Sequence, residues 1–359
     1  MTETLSLNSY RLLGRSGLRV SPLSLGTMTF GTEWGWGTDT DEARRIFETY
    51  VDRGGNFIDT ANSYTEGTSE QLVGTFASGR RDRLVISTKY TLPTYQGDPN
   101  SCGNHRKSMV RSVECSLQRL RTDYLDLLYL HIWDSTTPVE EILRAMDDLV
   151  RCGKVLYLGI SDTPAWQVAR MQAIADLRGW SPLIALQIEY NLLERTVERD
   201  LIPMAREMGL GVIPWSPLKS GILTGKYTRA DLDSVGNSAV PDGTRKNVLK
   251  PGVSLEKCIE ITNVVKAIAT ETNFSPSQIS LAWTLLNPSV IAPTVGVRTV
   301  DQLQENLCAL EVTLTKAQLD RLEKVSAVDL GFPYTLFLRT DVRKAMFNDM
   351  KIVRRDGSR

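Results

Sequence analysis

The sequence predicts an α/β fold, a (β/α)8 TIM barrel with an N-terminal β-hairpin and long loops on its top face. Three observations predict it. Short apolar runs alternate with longer amphipathic segments. The alternation repeats eight times along the chain. No composition break, low-complexity tract or other repeat interrupts it. Strand-then-helix alternation requires a parallel sheet, and eight units closing on themselves make a barrel. A chain of 359 residues is ordinary for one such domain with inserted loops. Residues 1–359 therefore read as a single domain, with the barrel core at about 10–330 and a C-terminal extension at 331–359.

The elements follow in order. Tyr10–Val20 reads as a hairpin turning at Gly14-Arg15-Ser16-Gly17, ahead of the first barrel strand. The strand-like runs are Ser21–Gly26, Asn56–Asp59, Leu84–Lys89, Leu125–His131, Val155–Ile160, Ile184–Gln187, Gly211–Pro214 and Val290–Pro293. Helical spacing marks Asp41–Asp52, where Ala43, Ile46, Phe47 and Tyr50 share a face, and then Ser69–Ala77 and His105–Leu120. Val139–Arg151 is opened by Thr137-Pro138, a cap followed by proline in the first turn. Pro164–Leu177, Val197–Met208, Leu255–Thr272 and Val300–Leu310 complete the series. Tyr90–Asn104 and the polar stretch Lys219–Gly252 read as loops, and loops so long are usually functional or disordered. Gln318–Arg359 extends past the repeat and ends in a basic, solvated tail from Lys351.

Lys plus Arg equals Asp plus Glu, at 42 each. This balance gives no electrostatic case for nucleic acid or an anionic membrane surface. Five widely spaced cysteines without a C-x-x-C pair favour reduced thiols, and so a cytoplasmic protein, over disulfides or zinc. The first residues carry no apolar signal core, and no apolar run is long enough to span a bilayer.

Reactive groups of such a barrel sit at the C-terminal ends of its strands. The second strand ends at Asp59, the third at Lys89 and the fourth at His131, with Tyr64 five residues past Asp59. Taken singly, an Asp–Lys pair can close a barrel layer and a histidine can be a core residue. Together, on adjacent strands, they make a proton-transfer set. A buried lysine needs a counter-charge, which Asp59 supplies. The ammonium is expected to lower the phenol pKa of Tyr64. Tyr64 then donates a proton to a substrate oxygen, which His131 orients.

Seven stretches resemble the aldo-keto reductases, in the family's order. They are GGNFIDTANSY (Gly54–Tyr64), VISTK (Val85–Lys89), DLLYLH (Asp126–His131), GKVLYLGIS (Gly153–Ser161), QIEYN (Gln187–Asn191), PWSPLKSGILTGKY (Pro214–Tyr227) and TVGVRTVDQLQENL (Thr294–Leu307). The opening Tyr10–Gly31 resembles the family's hairpin and first strand. The resemblance is closest to the branch of bacterial aryl-alcohol dehydrogenase-like enzymes and potassium-channel β subunits. It implies that Asp59, Tyr64, Lys89 and His131 are the catalytic set.

It also implies an extended NADP(H) across the barrel mouth, in place of the absent G-x-G-x-x-G fingerprint. Ser161 and Gln187 match carboxamide contacts, and Trp215 the aromatic that stacks on nicotinamide. Ser216, Pro217, Leu218, Ser220, Gly221 and Lys226 match the pyrophosphate segment. Gly296, Arg298, Gln302, Glu305 and Asn306 match the adenosine end, with Arg298 on the 2′-phosphate. Gly26, Thr27, Met28 and Asp59 are counted with these cofactor contacts. Asp162 stands where many members have Asn, and an ionised Asp only accepts hydrogen bonds.

Trp34, Tyr64, Tyr90, His131 and Trp133 are expected to wall an apolar or aromatic carbonyl substrate, with Phe332, Tyr334 and Phe337 closing the pocket. Lys219–Gly252 is expected to order as a lid over bound NADP(H). The resemblance leaves a second reading open, a redox-sensing regulatory subunit that binds the cofactor and turns over slowly. A hydrolase or metal enzyme needs paired carboxylates or a ligand cluster. Only two histidines, His105 and His131, and a lysine beside Asp59 speak against a metal site. The expected partner is thus a small carbonyl or alcohol, with no nucleic acid, membrane or metal.

Overall fold

A computed structural model describes residues 5–93, 95, 97–229, 231, 254–348 and 350. The chain opens with an antiparallel hairpin, β1 (Arg11–Leu12) and β2 (Arg19–Val20). Eight parallel strands follow in one sheet: β3 (Ser24–Gly26), β4 (Phe57–Asp59), β5 (Val85–Tyr90), β6 (Leu125–Leu130), β7 (Val155–Ser161), β8 (Leu183–Glu189), β9 (Gly211–Trp215) and β10 (Thr294–Gly296). The last pairs with the first, Thr294 opposite Ser24. A bridge between Val212 and Val290 closes the ring. The fold is a (β/α)8 barrel with its hairpin.

Strands buried on both faces read as continuous apolar runs, and the register sorts their side chains. In β6, Leu127 and Tyr129 join the cluster inside the barrel, while Leu128 and Leu130 join the one between sheet and helices. Leu13 and Val20 of the hairpin belong to the inner cluster and plug the N-terminal end. Gly14 makes the plug fit: its φ is +55°, and a Cβ would lie 2.2 Å from the Ile184 carbonyl. Gly159 on β7 leaves room for the Tyr129 ring, which a Cβ would approach to 2.4 Å.

Helices α1 (Thr40–Asp52), α2 (Thr68–Phe76), α3 (Arg106–Leu120), α4 (Val139–Arg151) and α5 (Ala165–Arg178) alternate with the strands. α6 begins at Leu201, not Val197, because Thr196–Glu198 forms a separate 3-10 turn. The eighth strand is Thr294–Gly296 rather than Val290–Pro293. Proline has no N–H for a ladder, so Pro293 only accepts, from Ser24 N at 3.0 Å. Two helices follow β9, α7 (Leu255–Thr272) and α8 (Pro276–Leu285). The alternation passes over α8, although Ser275 and Gln278 form a capping box with proline in the first turn. α9 (Val300–Leu307) and α10 (Lys316–Ser326) complete the shell. Short α11 (Tyr334–Leu338) and α12 (Thr340–Phe347) follow in the extension.

Among the described residues, no helix is long and apolar enough to cross a membrane. The five cysteines are all unpaired thiols. Most of Lys219–Gly252, with Arg245 and Lys246, and the tail from Lys351 lie outside the described residues.

Candidate active site

A cavity of about 810 Å³ opens at the C-terminal ends of the strands. Its chemistry begins with β4 and β5. Asp59 and Lys89 end up side by side because their strands pair in register, Asp59 opposite Ser87. Lys89 Nζ donates to Asp59 Oδ2 at 2.6 Å, to the Thr60 carbonyl at 2.8 Å and to Tyr64 OH at 3.2 Å. Asp59 Oδ1 accepts from Ser87 Oγ and from Gln187 Nε2, each at 2.9 Å. The lysine side chain is fully buried. The His131 ring meets the Tyr64 ring edge-on, 6.0 Å between centroids.

Burial works against a charged Lys89, but Asp59 and then Tyr64 more than offset it and hold the pKa above the ordinary lysine value. Lys89 is therefore a fixed cation. Burial dominates at Tyr64 too, and its pKa is raised although Lys89 pulls it down. The expected lowering is thus corrected: desolvation of the phenolate outweighs the ammonium, and the Asp59 carboxylate also opposes it. Tyr64 remains a neutral phenol. Burial, then Lys89, pushes His131 down to about 3. Its imidazole is neutral, and Nδ1 is buried without a partner.

Gly26, Met28, Asp59, Tyr64 and His131 all line the cavity. So do Ser161, Asp162, Gln187 and Trp215. After β9 the chain turns through a run of left-handed residues, Ser216 (φ 50°), Lys219 (46°), Ser220 (52°) and Gly221 (90°). This tight path brings Ser216, Pro217, Leu218, Ser220, Gly221 and Lys226 to the wall. Gly296, Arg298, Gln302, Glu305 and Asn306 form the far end. The Arg298 N–H donates to Gln302 Oε1 at 2.9 Å. Arg298 Nε is buried with no hydrogen-bond partner. Ser161 Oγ is likewise buried and unpartnered. Asp162, at φ 37°, accepts from Trp215 Nε1 at 3.1 Å.

Four expectations are corrected. Tyr90 lies fully buried behind the sheet, its OH donating to the Asn104 carbonyl at 3.3 Å. Side chains alternate across a strand, so with Lys89 pointing inward Tyr90 points outward. Thr27 is buried, and its hydroxyl is engaged by the Asp59 carbonyl at 2.9 Å and Ser69 Oγ at 2.8 Å. Trp133 packs against the outer core cluster rather than the cavity. Phe332, Tyr334 and Phe337 are not on the cavity wall either. Tyr334 OH donates to Asp200 at 2.8 Å instead. Trp34 does line the cavity, edge-on to Tyr64 at 6.5 Å between centroids and backed by Trp36 at 5.6 Å.

Other wall residues escape the sequence reading. Thr294 and Val295 belong to β10, whose register the apolar run does not reveal. Ser277 sits in the first turn of α8, where the Ser-Pro-Ser-Gln capping pattern was the available signal. Leu92 and Pro93 follow β5 on the cavity wall and carry no local signal.

Known proteins resemble this chain over most of its length. A model of the aldo/keto reductase family matches residues 22–327. A norsolorinic acid reductase of Aspergillus flavus is 38% identical over 353 residues, 95% of this chain and 87% of its own. An aryl-alcohol dehydrogenase [NADP(+)] of Phanerodontia chrysosporium is 36% identical over 337 residues, 89% of this chain and 86% of its own. A putative aryl-alcohol dehydrogenase of Saccharomyces cerevisiae is 36% identical over 343 residues, 92% and 90% of the two chains. The family is one of carbonyl-reducing oxidoreductases that use a nicotinamide cofactor. The chain belongs to the aldo/keto reductase family.

Proposed function

We propose that this protein reversibly reduces aldehydes or ketones with NADPH, Tyr64 giving the proton to the carbonyl oxygen. The observation that carries the proposal is the chain of contacts from Asp59 through Lys89 to the Tyr64 hydroxyl, at 2.6 and 3.2 Å, on the cavity wall. A bound nicotinamide supplies or accepts the hydride. Everything else falls to the protein's own groups.

The wall suits such a cofactor. Ser161 Oγ and Arg298 Nε are buried polar atoms without partners, and groups of that kind are costly unless a ligand satisfies them. Ser161 and Gln187 would take a carboxamide, and Trp215 offers an aromatic face to the ring. The Ser216–Lys226 segment would hold the pyrophosphate. Arg298 has no ion pair among the described residues, and a guanidinium fits a phosphate in two-point fashion. This favours NADPH over NADH.

In reduction, Tyr64 donates its proton as negative charge grows on the substrate oxygen. Lys89, held cationic by Asp59, stabilises the phenolate that remains. Neutral His131 hydrogen-bonds and orients the same oxygen. In alcohol oxidation the roles reverse, with Tyr64 as base. Trp34, edge-on to Tyr64, with Leu92 and Pro93 on the same cavity wall, gives an apolar lining suited to an aromatic carbonyl. The printed names of the relatives, norsolorinic acid reductase and aryl-alcohol dehydrogenase, support that class.

The test is multiple-turnover NADPH oxidation with a panel of aromatic and aliphatic aldehydes. Turnover with aromatic aldehydes preferred is expected. Stoichiometric NADPH binding with no turnover across the panel would contradict the proposal.

A further inference from the structure

Asp162 is a cavity carboxyl with no part in the proton relay. It follows the last residue of β7, and only Oδ1 is engaged, by Trp215 Nε1 at 3.1 Å. Beside it on the wall are also Ser161, whose hydroxyl is buried and unpartnered, and Gln187, whose Nε2 is committed to Asp59. A primary carboxamide offers one acceptor and two N–H donors. The Ser161 hydroxyl can serve the acceptor. Gln187 Oε1 and Asp162 Oδ2 can serve the two donors. That match is complete with Asp162 as a carboxylate, and it brings a negative charge to the ring's site.

We propose that Asp162 discriminates between the redox states of the cofactor, its carboxylate favouring the oxidised, cationic nicotinamide over the neutral reduced one. The inference rests on the nicotinamide reading of the cavity and goes beyond it. The oxidised ring carries a positive charge and the reduced ring does not, so a carboxylate in contact attracts only the former.

The charges facing Asp162 leave this effect intact. Lys89 on β5 is paired with Asp59 on β4 at 2.6 Å. Glu189 on β8 is paired with Lys219 at 2.5 Å. His131, after β6, is neutral because burial pushes it down to about 3. Trp215 on β9 presents only its N–H. Asp162 itself forms no ion pair among the described residues.

Asp162 faces the cavity, and partial desolvation of its carboxyl by the surrounding wall raises its pKa to about 6. The indole hydrogen bond opposes this, Glu189 adds to it, and Lys89 opposes it. The carboxyl therefore ionises as pH rises through that value, and the preference for the oxidised cofactor switches on across the same interval.

The experiment is calorimetric titration of the protein with NADP+ and, separately, with NADPH, between pH 5.5 and 8. The cofactor phosphates titrate alike in both redox forms, so the ratio of the two Kd values isolates the ring charge. The expected ratio, oxidised over reduced, falls roughly three- to tenfold as pH rises, for one carboxylate beside one cation at partly screened range. In Asp162→Asn, a near-isosteric change that removes the charge, the ratio is flat. Parallel pH profiles for the two forms in the unaltered protein would overturn the inference while leaving the nicotinamide site standing. A variant that keeps the full slope would also overturn it, since another group then carries the charge. Failure of both forms to bind at any pH would overturn the nicotinamide reading itself.

Discussion

On the side of the cavity made by β4 and β5, the polar groups satisfy one another, while His131 Nδ1 beyond β6 has no partner. Asp59 takes hydrogen bonds from Lys89, Ser87 and Gln187, and Lys89 spends its donors on Asp59, Thr60 and Tyr64. Across the cavity, Ser161 Oγ and Arg298 Nε lie buried with no partner. The first side needs no further partner, and the second keeps buried polar atoms with unmet hydrogen-bonding capacity. Catalytic geometry benefits from rigidity, whereas a recognition wall must keep its hydrogen-bonding capacity for the guest.

If the contrast holds, substitutions on the first side should disturb stability and chemistry, and those on the second, open side should disturb binding. The largest effect is expected for Lys89→Met, which strands Asp59 as a buried unpaired charge. Breaking such a pair costs about 3–5 kcal/mol, read as a lower midpoint in denaturant, and turnover should be lost with it. Next, inside the barrel and apart from either side's polar groups, Gly159→Ala forces a methyl to 2.4 Å from the Tyr129 ring and should destabilise by about 1–3 kcal/mol. On the open side, Arg298→Ala should leave the unfolding midpoint unchanged. It should weaken NADPH about ten- to a hundredfold, as for a charged hydrogen bond of about 1.5–3 kcal/mol, with NADH little affected. Equal losses for the two cofactors would break the assignment of Arg298.

A separate effect is on acid stability. His131 is held neutral down to about 3 in the fold, while an unfolded histidine protonates near pH 6.5. The unfolded state therefore binds the extra proton, so this contribution is full above about pH 6.5 and declines as pH falls toward 3. His131→Gln should flatten part of that slope in denaturant melts between pH 7 and 4.

Much of this was legible because chemistry at a barrel mouth sits on strand ends. The alternation that marks the strands also marks where Asp59, Lys89 and His131 emerge. What escaped depended on directions and balances that a linear pattern does not carry. Tyr90 adjoins Lys89 in sequence but faces the opposite side of the sheet. The eighth strand lies past Pro293, since backbone pairing rather than hydrophobicity sets its register. The sign of the Tyr64 shift required burial to be weighed against the ammonium, and burial is a property of the packed cavity. Gln187 was legible as a wall residue, but its bond to Asp59 spans 128 positions of chain.

The central claim is that Tyr64 is the proton donor on an otherwise intact cofactor site. Its most direct test is Tyr64→Phe, with NADPH affinity measured by calorimetry and turnover measured on the same preparation. Affinity within a few-fold of the unaltered protein and turnover reduced by about 10²–10⁴, the range for a lost general acid, is the expected result. A variant that binds NADPH normally and still reduces aldehydes at near the original rate would contradict the account.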